Sequence, residues 1–411
     1  MGKVKEKKTN NSDNKVFIGD NILVLKDRAF NKYYNKIKMI YIDPPYNTKT
    51  SKAYYDNRQE DEWISFMKER LIASYDLLTE DGCIFISIDD NEYAELKMIC
   101  DEIYGKKNHI GTFITYQALR SNSKLINTVH EYVLCYAKNK KEVKDFKILR
   151  KYIEEDSKII NEVKNNVKKI IEGEGLSIAQ KKIKDIIKES CEKYNISWLK
   201  NYNNVDEDGK VYFAMDLSTP GKPRKVDIDK IDLHLKPLKT RGWSSDEKFI
   251  DLYNKNLLVF KNGRPYEKHY LEDACDNVTS IMRFFSRNGT NDLKKLGLYN
   301  LFDTPKPVEM IKFLIRISTN EDDYVLDFFA GSGTTAQSVC EVNMENNRHN
   351  KFILIQKKEK FNEKSQSYEV CHKLGIKPYT SEALVYRLNT YLKTIHNKYT
   401  YDLIEEIGKA S

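Results

Sequence analysis

Two spacings of apolar residues alternate along the chain. One is the short uninterrupted run. Runs at 15–20, 37–42, 83–88 and 130–137, and later from Tyr324 and at 351–356, are too short and too β-rich for helices, so they read as buried strands. The other is the helical repeat. Trp63, Phe66, Met67, Leu71, Leu77 and Leu78 predict a helix over 60–78, and Tyr93, Leu96, Ile99, Cys100 and Ile103 predict a second. Further helices are expected from about Asn21, over 307–317 and from Thr334. Turn residues punctuate the pattern. Glu80-Asp81-Gly82 is expected to turn the chain into the strand at 83, and Asp89-Asp90-Asn91 to cap the helix after it. Strands alternating with helices predict an α/β fold with a doubly wound, mostly parallel sheet.

The alternation breaks in the middle of the chain. From 156 to 194, Ile159, Ile160, Val163, Val167, Ile170 and Ile171, then Ile183, Ile186 and Ile187, keep helical spacing among charged residues. Gly173 and Gly175 split this stretch into an αα-hairpin. Turn-rich sequence with short β-like runs follows to about 300. The organisation expected is therefore a disordered tail over 1–14, a first α/β part over 15–140, an insert over 141–300 and a second α/β part with C-terminal helices over 301–411.

Composition adds few constraints. The 411 residues carry a net charge of +8, which permits an acidic partner without requiring one. In the insert, Lys222, Arg224, Lys225, Lys236, Lys239, Arg241, Lys261, Arg264 and Lys268 interleave with Trp243, Tyr253, Tyr266 and Tyr270, a mixture suited to nucleic-acid contact and equally to a solvated face. The seven cysteines are scattered, with no CxxC pair and no Cys/His cluster, so reduced thiols, a cytoplasmic setting and no metal are expected. No apolar run is long enough for a membrane span.

The candidate chemistry sits at two strand ends. The run 37–42 stops at Asp43-Pro44-Pro45-Tyr46, because proline donates nothing to a sheet ladder. An acid and an aromatic ring are thereby fixed on a stiff loop at a strand's carboxyl end, the edge where open α/β sheets bind ligands. Such a loop suits methylation of an exocyclic amine. The amine's lone pair is delocalised into its ring, and two acceptors, the Asp43 carboxylate and the Pro44 carbonyl, can draw it out while Tyr46 stacks on a base pulled from its duplex. A plain turn with a packed tyrosine explains the tetrapeptide alone. The polar segment from Asn47 to Asn57 reads as a mobile loop over the site. Asp20 reads first as a helix cap and secondly as the border of a cofactor pocket. His130 beside Glu131 reads as structural.

The second strand end is Asp327-Phe-Phe329-Ala-Gly331-Ser-Gly333-Thr334-Thr335. Glycines admit a ligand close to the backbone, and the helix begun by Thr334 offers free N–H groups to an anion. No lysine follows the second glycine, so this is no phosphate loop, and the third glycine of a dinucleotide fingerprint is missing. A carboxylate-bearing ligand such as the methionine part of S-adenosylmethionine fits. The strand at 351–356 would end facing its ribose.

Together the two stretches resemble the catalytic and cofactor motifs of amino-methylating DNA methyltransferases. The catalytic motif comes first, which resembles the β class, and the chain looks most like the Mod subunits of Type III restriction-modification systems. The likeness also rests on 63–71, Asp81-Gly82, 86–92, His130-Glu131-Tyr132, Thr304-Pro-Lys-Pro307, Gln356 and Glu359. It implies a circularly permuted, Rossmann-like methyltransferase fold with an inserted target-recognition region. It implies site-specific transfer of a methyl group from S-adenosylmethionine to N6 of a flipped adenine in double-stranded DNA. Asp43, Pro44, Pro45 and Tyr46 would hold the base. Asp20, Asp43, Asp327, Phe329, Gly331, Gly333, Thr334, Gln356 and Glu359 would line the cofactor pocket. A homodimer and a separate restriction (Res) subunit are implied partners. The alternatives are an N4-cytosine methyltransferase, a recognition subunit that methylates weakly, and an RNA or protein amide methylase; the last typically carries Asn where Asp43 stands.

Overall fold

The computed structural model describes residues 4–8, 11–48, 58–116 and 125–406. The chain forms two compact units. One comprises 1–146 with 278–411, the other 147–277.

The first unit is built on a ten-stranded sheet. Its strands in chain order are β1 (Val4–Lys8), β2 (Lys15–Ile18), β3 (Ile37–Ile42), β4 (Leu78–Ile88), β5 (His109–Tyr116), β6 (His130–Ala137), β7 (Ile281–Met282), β8 (Tyr324–Asp327), β9 (Lys351–Gln356) and β10 (Asp402–Glu406). Across the sheet they run β1, β10, β2, β9, β8, β3, β4, β6, β5, β7. From β10 to β4 every pairing is parallel; β6 is antiparallel to both its neighbours. Every residue of β3 is buried, as its uninterrupted apolar sequence requires of a strand covered on both faces. The chain leaves β3 towards β4 on one side and leaves β8 towards β9 on the other. The order therefore reverses between β8 and β3, and the carboxyl ends of these two neighbours form the crevice where doubly wound sheets take ligands.

Helices α1 (Asn21–Leu25), α2 (Glu60–Tyr75) and α3 (Tyr93–Cys100) follow β2, β3 and β4. The structure departs from the sequence reading in four places here. Helix α2 ends at Tyr75, and Leu77 and Leu78 belong to the turn and strand beyond it. Glu80-Asp81-Gly82 lies within β4, where the register against β3 shifts. The irregularity is absorbed at Gly82, since a Cβ there would stand 3.0 Å from the carbonyls of Ile37 and Thr79. Asp89 closes a turn by accepting from the N–H of Asn91, and the cap position of α3 is Glu92. Finally, β1 and β10 form an antiparallel pair, so residues 4–8 of the expected tail form an edge strand and the C-terminal part is not all helix. Neither strand shows a clean apolar run: β1 is the edge strand, β10 lies between β1 and β2, and charged residues interrupt both sequences.

The second unit opens and closes on its own two ends. Lys147–Leu149 pairs antiparallel with Cys275–Asn277, so its termini lie side by side. Helices α4 (Glu154–Glu174) and α5 (Leu176–Tyr194) form the expected hairpin, broken at Gly175 with φ 91°. Their apolar faces meet: Ile159, Val163 and Val167 are buried with Ala179, Ile183 and Ile187. A four-stranded antiparallel sheet, helix α6 (Asp246–Asn254) and a second cluster around Trp243 and Phe249 complete the unit, and helix α7 (Arg287–Lys295) follows where the chain is back in the first unit.

Candidate active site at the β3 and β8 strand ends

Proline stiffness is not all that holds the loop after β3. The Trp63 indole N–H donates to the Pro45 carbonyl at 2.8 Å. Asn47 adopts φ 57°, donates to the buried Glu92 carboxylate at 2.6 Å and accepts from the Arg58 N–H at 2.7 Å. Trp63, read from the sequence as core, is thus also a brace for the loop after β3. Of the loop expected to follow, 49–57 lie outside the described residues.

Asp43 emerges from this brace into a cluster of charge. Its Oδ1 is shut off from solvent and accepts no hydrogen bond among the described residues, although the Lys306 ammonium lies 3.3 Å away. Lys306 gives its close contacts elsewhere, 2.6 Å to the Glu131 carboxylate and 2.6 Å to the Tyr46 hydroxyl. The Tyr46 hydroxyl in turn lies 3.2 Å from Glu131, and the lysine stands 4.9 Å from the centre of the Tyr46 ring. Burial pushes the Asp43 carboxyl above its usual range; Lys306 opposes this and Glu131 adds to it. Burial alone would lower the lysine's pKa, but the Asp43 and Glu131 carboxylates reverse that and raise it, so Lys306 is a fixed cation. Two carboxylates around one ammonium leave a surplus negative charge, which suits a substrate group that becomes cationic.

Lys306 and Glu131 were the residues that sequence reasoning passed over. The signal for the first was present: a lysine between two prolines, Thr304-Pro305-Lys306-Pro307, is held on stiff backbone ahead of the helix α8 (Val308–Ser318). For Glu131 the attention went to His130, whose ring meets the Tyr132 hydroxyl instead.

The loop after β8 is fastened from within. Asp327 is buried; its Oδ1 accepts from the Phe329 N–H at 3.0 Å and its Oδ2 from the Thr335 hydroxyl at 2.6 Å. Burial pushes its pKa up to about 7. Both oxygens are spent in tying the loop to itself and to the next helix, so Asp327 holds the loop's shape. Gln356 does similar work, accepting from the Gly331 N–H at 2.7 Å. Gly331 and Gly333 have φ 52° and 79°. At Gly333 a Cβ would meet Leu384, Arg387 and Leu354 at 3.5–3.8 Å, inside the protein, so this glycine is required by its left-handed backbone more than by room for a ligand. It is also the cap of helix α9 (Thr334–Asn346) and offers no side chain, which leaves the first N–H groups of that helix without a side-chain cap. The Thr334 hydroxyl reaches the Lys306 carbonyl at 3.2 Å, joining the glycine loop to the charge cluster at Asp43.

Asp20 serves both readings. It caps α1 by accepting from the Ile22 N–H, and it pairs with the buried Arg70 at 3.1 Å. Lys357 lies 3.7 Å from Asp20 and 3.5 Å from the half-buried Glu359. Phe329 packs against Phe66 with the rings tilted at 54° and 5.9 Å between centres, and Arg70 lies over the Phe66 ring at 3.6 Å. An uncapped helix start, an aromatic wall and carboxylates at the ends of β2 and near β9 fit a zwitterionic ligand bearing sugar hydroxyls.

In the second unit several basic residues prove to be internal ties. Arg224 pairs with Asp246, Arg264 with Asp216 and Lys225 with Asp227, and Arg241 binds Ser218. Lys222, Lys236 and Lys239 stay exposed, with no ion pair among the described residues.

No helix among the described residues is long and apolar enough to cross a membrane. The DNA methylase family model matches residues 37–367. The Mod subunit of the Type III restriction-modification enzyme EcoP15I of Escherichia coli is 31% identical over 417 residues, covering 88% of this chain and 61% of its own. The Type II methyltransferase M.KpnI of Klebsiella pneumoniae is 28% identical over 409 residues, covering 95% of this chain and 90% of its own. The chain spans about half to three fifths of the length of the Type III relatives it matches. Among solved structures, PvuII DNA methyltransferase (cytosine-N4-specific) is similar at TM-score 0.41 and 13% identity, over 97% of this chain and 99% of that one. With its family model covering both strand-end loops, the chain belongs to the DNA methylases.

Proposed function

We propose that the chain transfers a methyl group from S-adenosylmethionine to N6 of an adenine flipped out of double-stranded DNA. The observation that carries this reading is the buried, unsatisfied Oδ1 of Asp43 at the sheet's reversal point, one strand from the glycine loop. A buried acceptor without a hydrogen bond is costly, and such a cost is retained where a ligand repays it. The cofactor supplies, when bound, a methyl group on a sulfonium. Helix α9, Phe329, Glu359 and Asp20 hold and orient it. Asp43 accepts one hydrogen of the target amine and the Pro44 carbonyl the other, which draws the nitrogen's lone pair out of the ring. As the new N–C bond forms and the methyl–sulfur bond breaks, its electron pair leaving with sulfur as a neutral thioether, the nitrogen becomes cationic, and the surplus negative charge of Asp43 and Glu131 over Lys306 stabilises it. The amine proton leaves after that step, so no general base is needed earlier.

Adenine is favoured over cytosine by the Asp-type loop and by the likeness to Mod subunits. Residues 147–277 supply sequence recognition, with Lys222, Lys236 and Lys239 meeting phosphates. The chain acts as the modification component of a restriction-modification system, paired with a second copy of itself and a restriction subunit. Incubating purified protein with duplex DNA and methyl-labelled cofactor tests the reaction. Label should enter DNA with the wild type and not with Asp43→Ala, and equal incorporation by the two would refute the assignment.

A further inference from the structure

The charge cluster holds more than the acceptor needs. Lys306 approaches Asp43 to 3.3 Å yet forms no well-aligned hydrogen bond to Oδ1, because Glu131 and Tyr46 take it at 2.6 Å each. Its backbone is equally constrained, set between Pro305 and Pro307 with its carbonyl held by Thr334. The ammonium is therefore close enough to act on Asp43 through its charge and too firmly engaged elsewhere to use up the lone pair of Oδ1.

We propose that Lys306 and Glu131 form a positioning pair for methyl transfer: Lys306 keeps Asp43 ionised, and Glu131, with the Tyr46 hydroxyl, holds the lysine back so that Oδ1 stays open for the target amine. This rests on the methyl-transfer reading above. The physical need is plain. A protonated Asp43 would present a hydroxyl to the amine in place of an acceptor, and a lysine bonded straight to Oδ1 would occupy the amine's place. Burial raises the carboxyl's pKa and Lys306 opposes that rise, so removing the cation shifts Asp43 further towards its protonated form. The groups facing Asp43 are Lys306 from the segment before α8, Glu131 from β6, Tyr46 from its own loop, Tyr41 from β3 and Asp327 from β8. Of these only Lys306 is cationic, and Glu131 is the carboxylate in contact with it. The pair thus has two separable effects on one group: one on its charge, one on its availability.

The two effects predict opposite displacements. In Lys306→Met, Asp43 faces Glu131 with no cation between, so the acid limb of the single-turnover rate should move up by about one pH unit or more. On the acid side of both midpoints the loss should be about tenfold or more, with recovery as pH rises. Lys306→Arg, which keeps the charge, should keep the wild-type limb. In Glu131→Gln the lysine turns to Asp43. The acid limb should move down, while the plateau rate falls because Oδ1 is occupied and alkali does not restore it. The same titration is read without turnover by carbon-13 NMR of aspartate-labelled protein, taking the carboxyl resonance that disappears in Asp43→Asn. Its midpoint should rise in Lys306→Met and fall in Glu131→Gln. Equal losses at every pH, with unmoved limbs and unmoved NMR midpoints, would mean that the pair only supports the fold, and the proposal would be overturned. If the wild type methylates no DNA, the methyl-transfer reading fails, while the NMR midpoints still decide whether the pair governs Asp43.

Discussion

At the scale of single residues the account turns on Asp43 and the ring beside it. Asp43→Asn keeps an amide oxygen as acceptor but loses the charge and risks presenting NH2 to the substrate amine. Its turnover should fall by about 10²-fold or more while cofactor affinity, read by calorimetry, is kept. Tyr46→Phe retains the ring and should lose much less than Tyr46→Ala, which removes the stacking surface. Asp327 carries a separate prediction. Its pKa in the folded protein, about 7, lies above the ordinary 3.8. Between those values the folded state holds a proton that the unfolded chain has released. The stability this group contributes is therefore greatest in acid and falls as pH rises towards 7. The change is on the order of a few kcal/mol. Denaturant midpoints of the wild type and Asp327→Asn at pH 5 and pH 8 check it. The wild type should lose ground to the variant at the higher pH, and a constant difference would contradict the assignment. Asp43 and Tyr46 were legible in the sequence because prolines and a strand end expose them. Lys306 was legible in principle, from its two prolines. Glu131 was not, because its role comes from β6 lying near β3 across the sheet and no local pattern records that.

At the scale of elements, the turn from β8 into α9 is the most constrained piece. Gly333→Val forces a β-branched residue to φ 79° and sets new atoms against Leu384, Arg387 and Leu354. The strain is about 1–3 kcal/mol. It falls on the segment that opens α9, so S-adenosylmethionine binding should be lost in calorimetry while the circular dichroism spectrum stays folded. Wild-type affinity in this variant would remove the glycine loop from the pocket. The glycines themselves were visible in the sequence; their reason was not. Close approach of a ligand was the natural reading, whereas the structure turns the missing Cβ of Gly333 towards Leu384, Arg387 and Leu354. The apolar runs of β3, β6 and β9 were read at their true bounds, whereas β4 begins at Leu78, ahead of the run at 83–88, and β2 stops at Ile18, short of 20. Strands β1 and β10 escaped notice for the converse reason: charged residues interrupt both short sequences. The end of α2 was overrun because Leu77 and Leu78 continue its apolar stripe after the helix has stopped at Tyr75.

At the scale of the molecule, the second unit is closed by a short ladder between its own ends, which is how a large insert can sit in an α/β unit without breaking it. Residues 147–277 produced alone should fold, giving a dispersed amide spectrum, and a collapsed spectrum would show that the unit depends on the rest of the chain. If this unit reads sequence, exchanging it for that of a relative should change which sites are methylated. Neutralising Lys222, Lys236 and Lys239 should lower DNA affinity and flatten its salt dependence by roughly one log-log unit for each phosphate no longer neutralised. The insert was legible as a change of texture, but which of its basic residues are surface and which are ties depended on partners distant in sequence, such as Asp246 for Arg224. The central claim is chemical, and one measurement meets it directly. Duplex DNA methylated by the purified protein is digested to nucleosides and analysed by mass spectrometry. The account predicts N6-methyladenine, absent with Asp43→Ala; N4-methylcytosine without methyladenine, or undiminished product from Asp43→Ala, would contradict it.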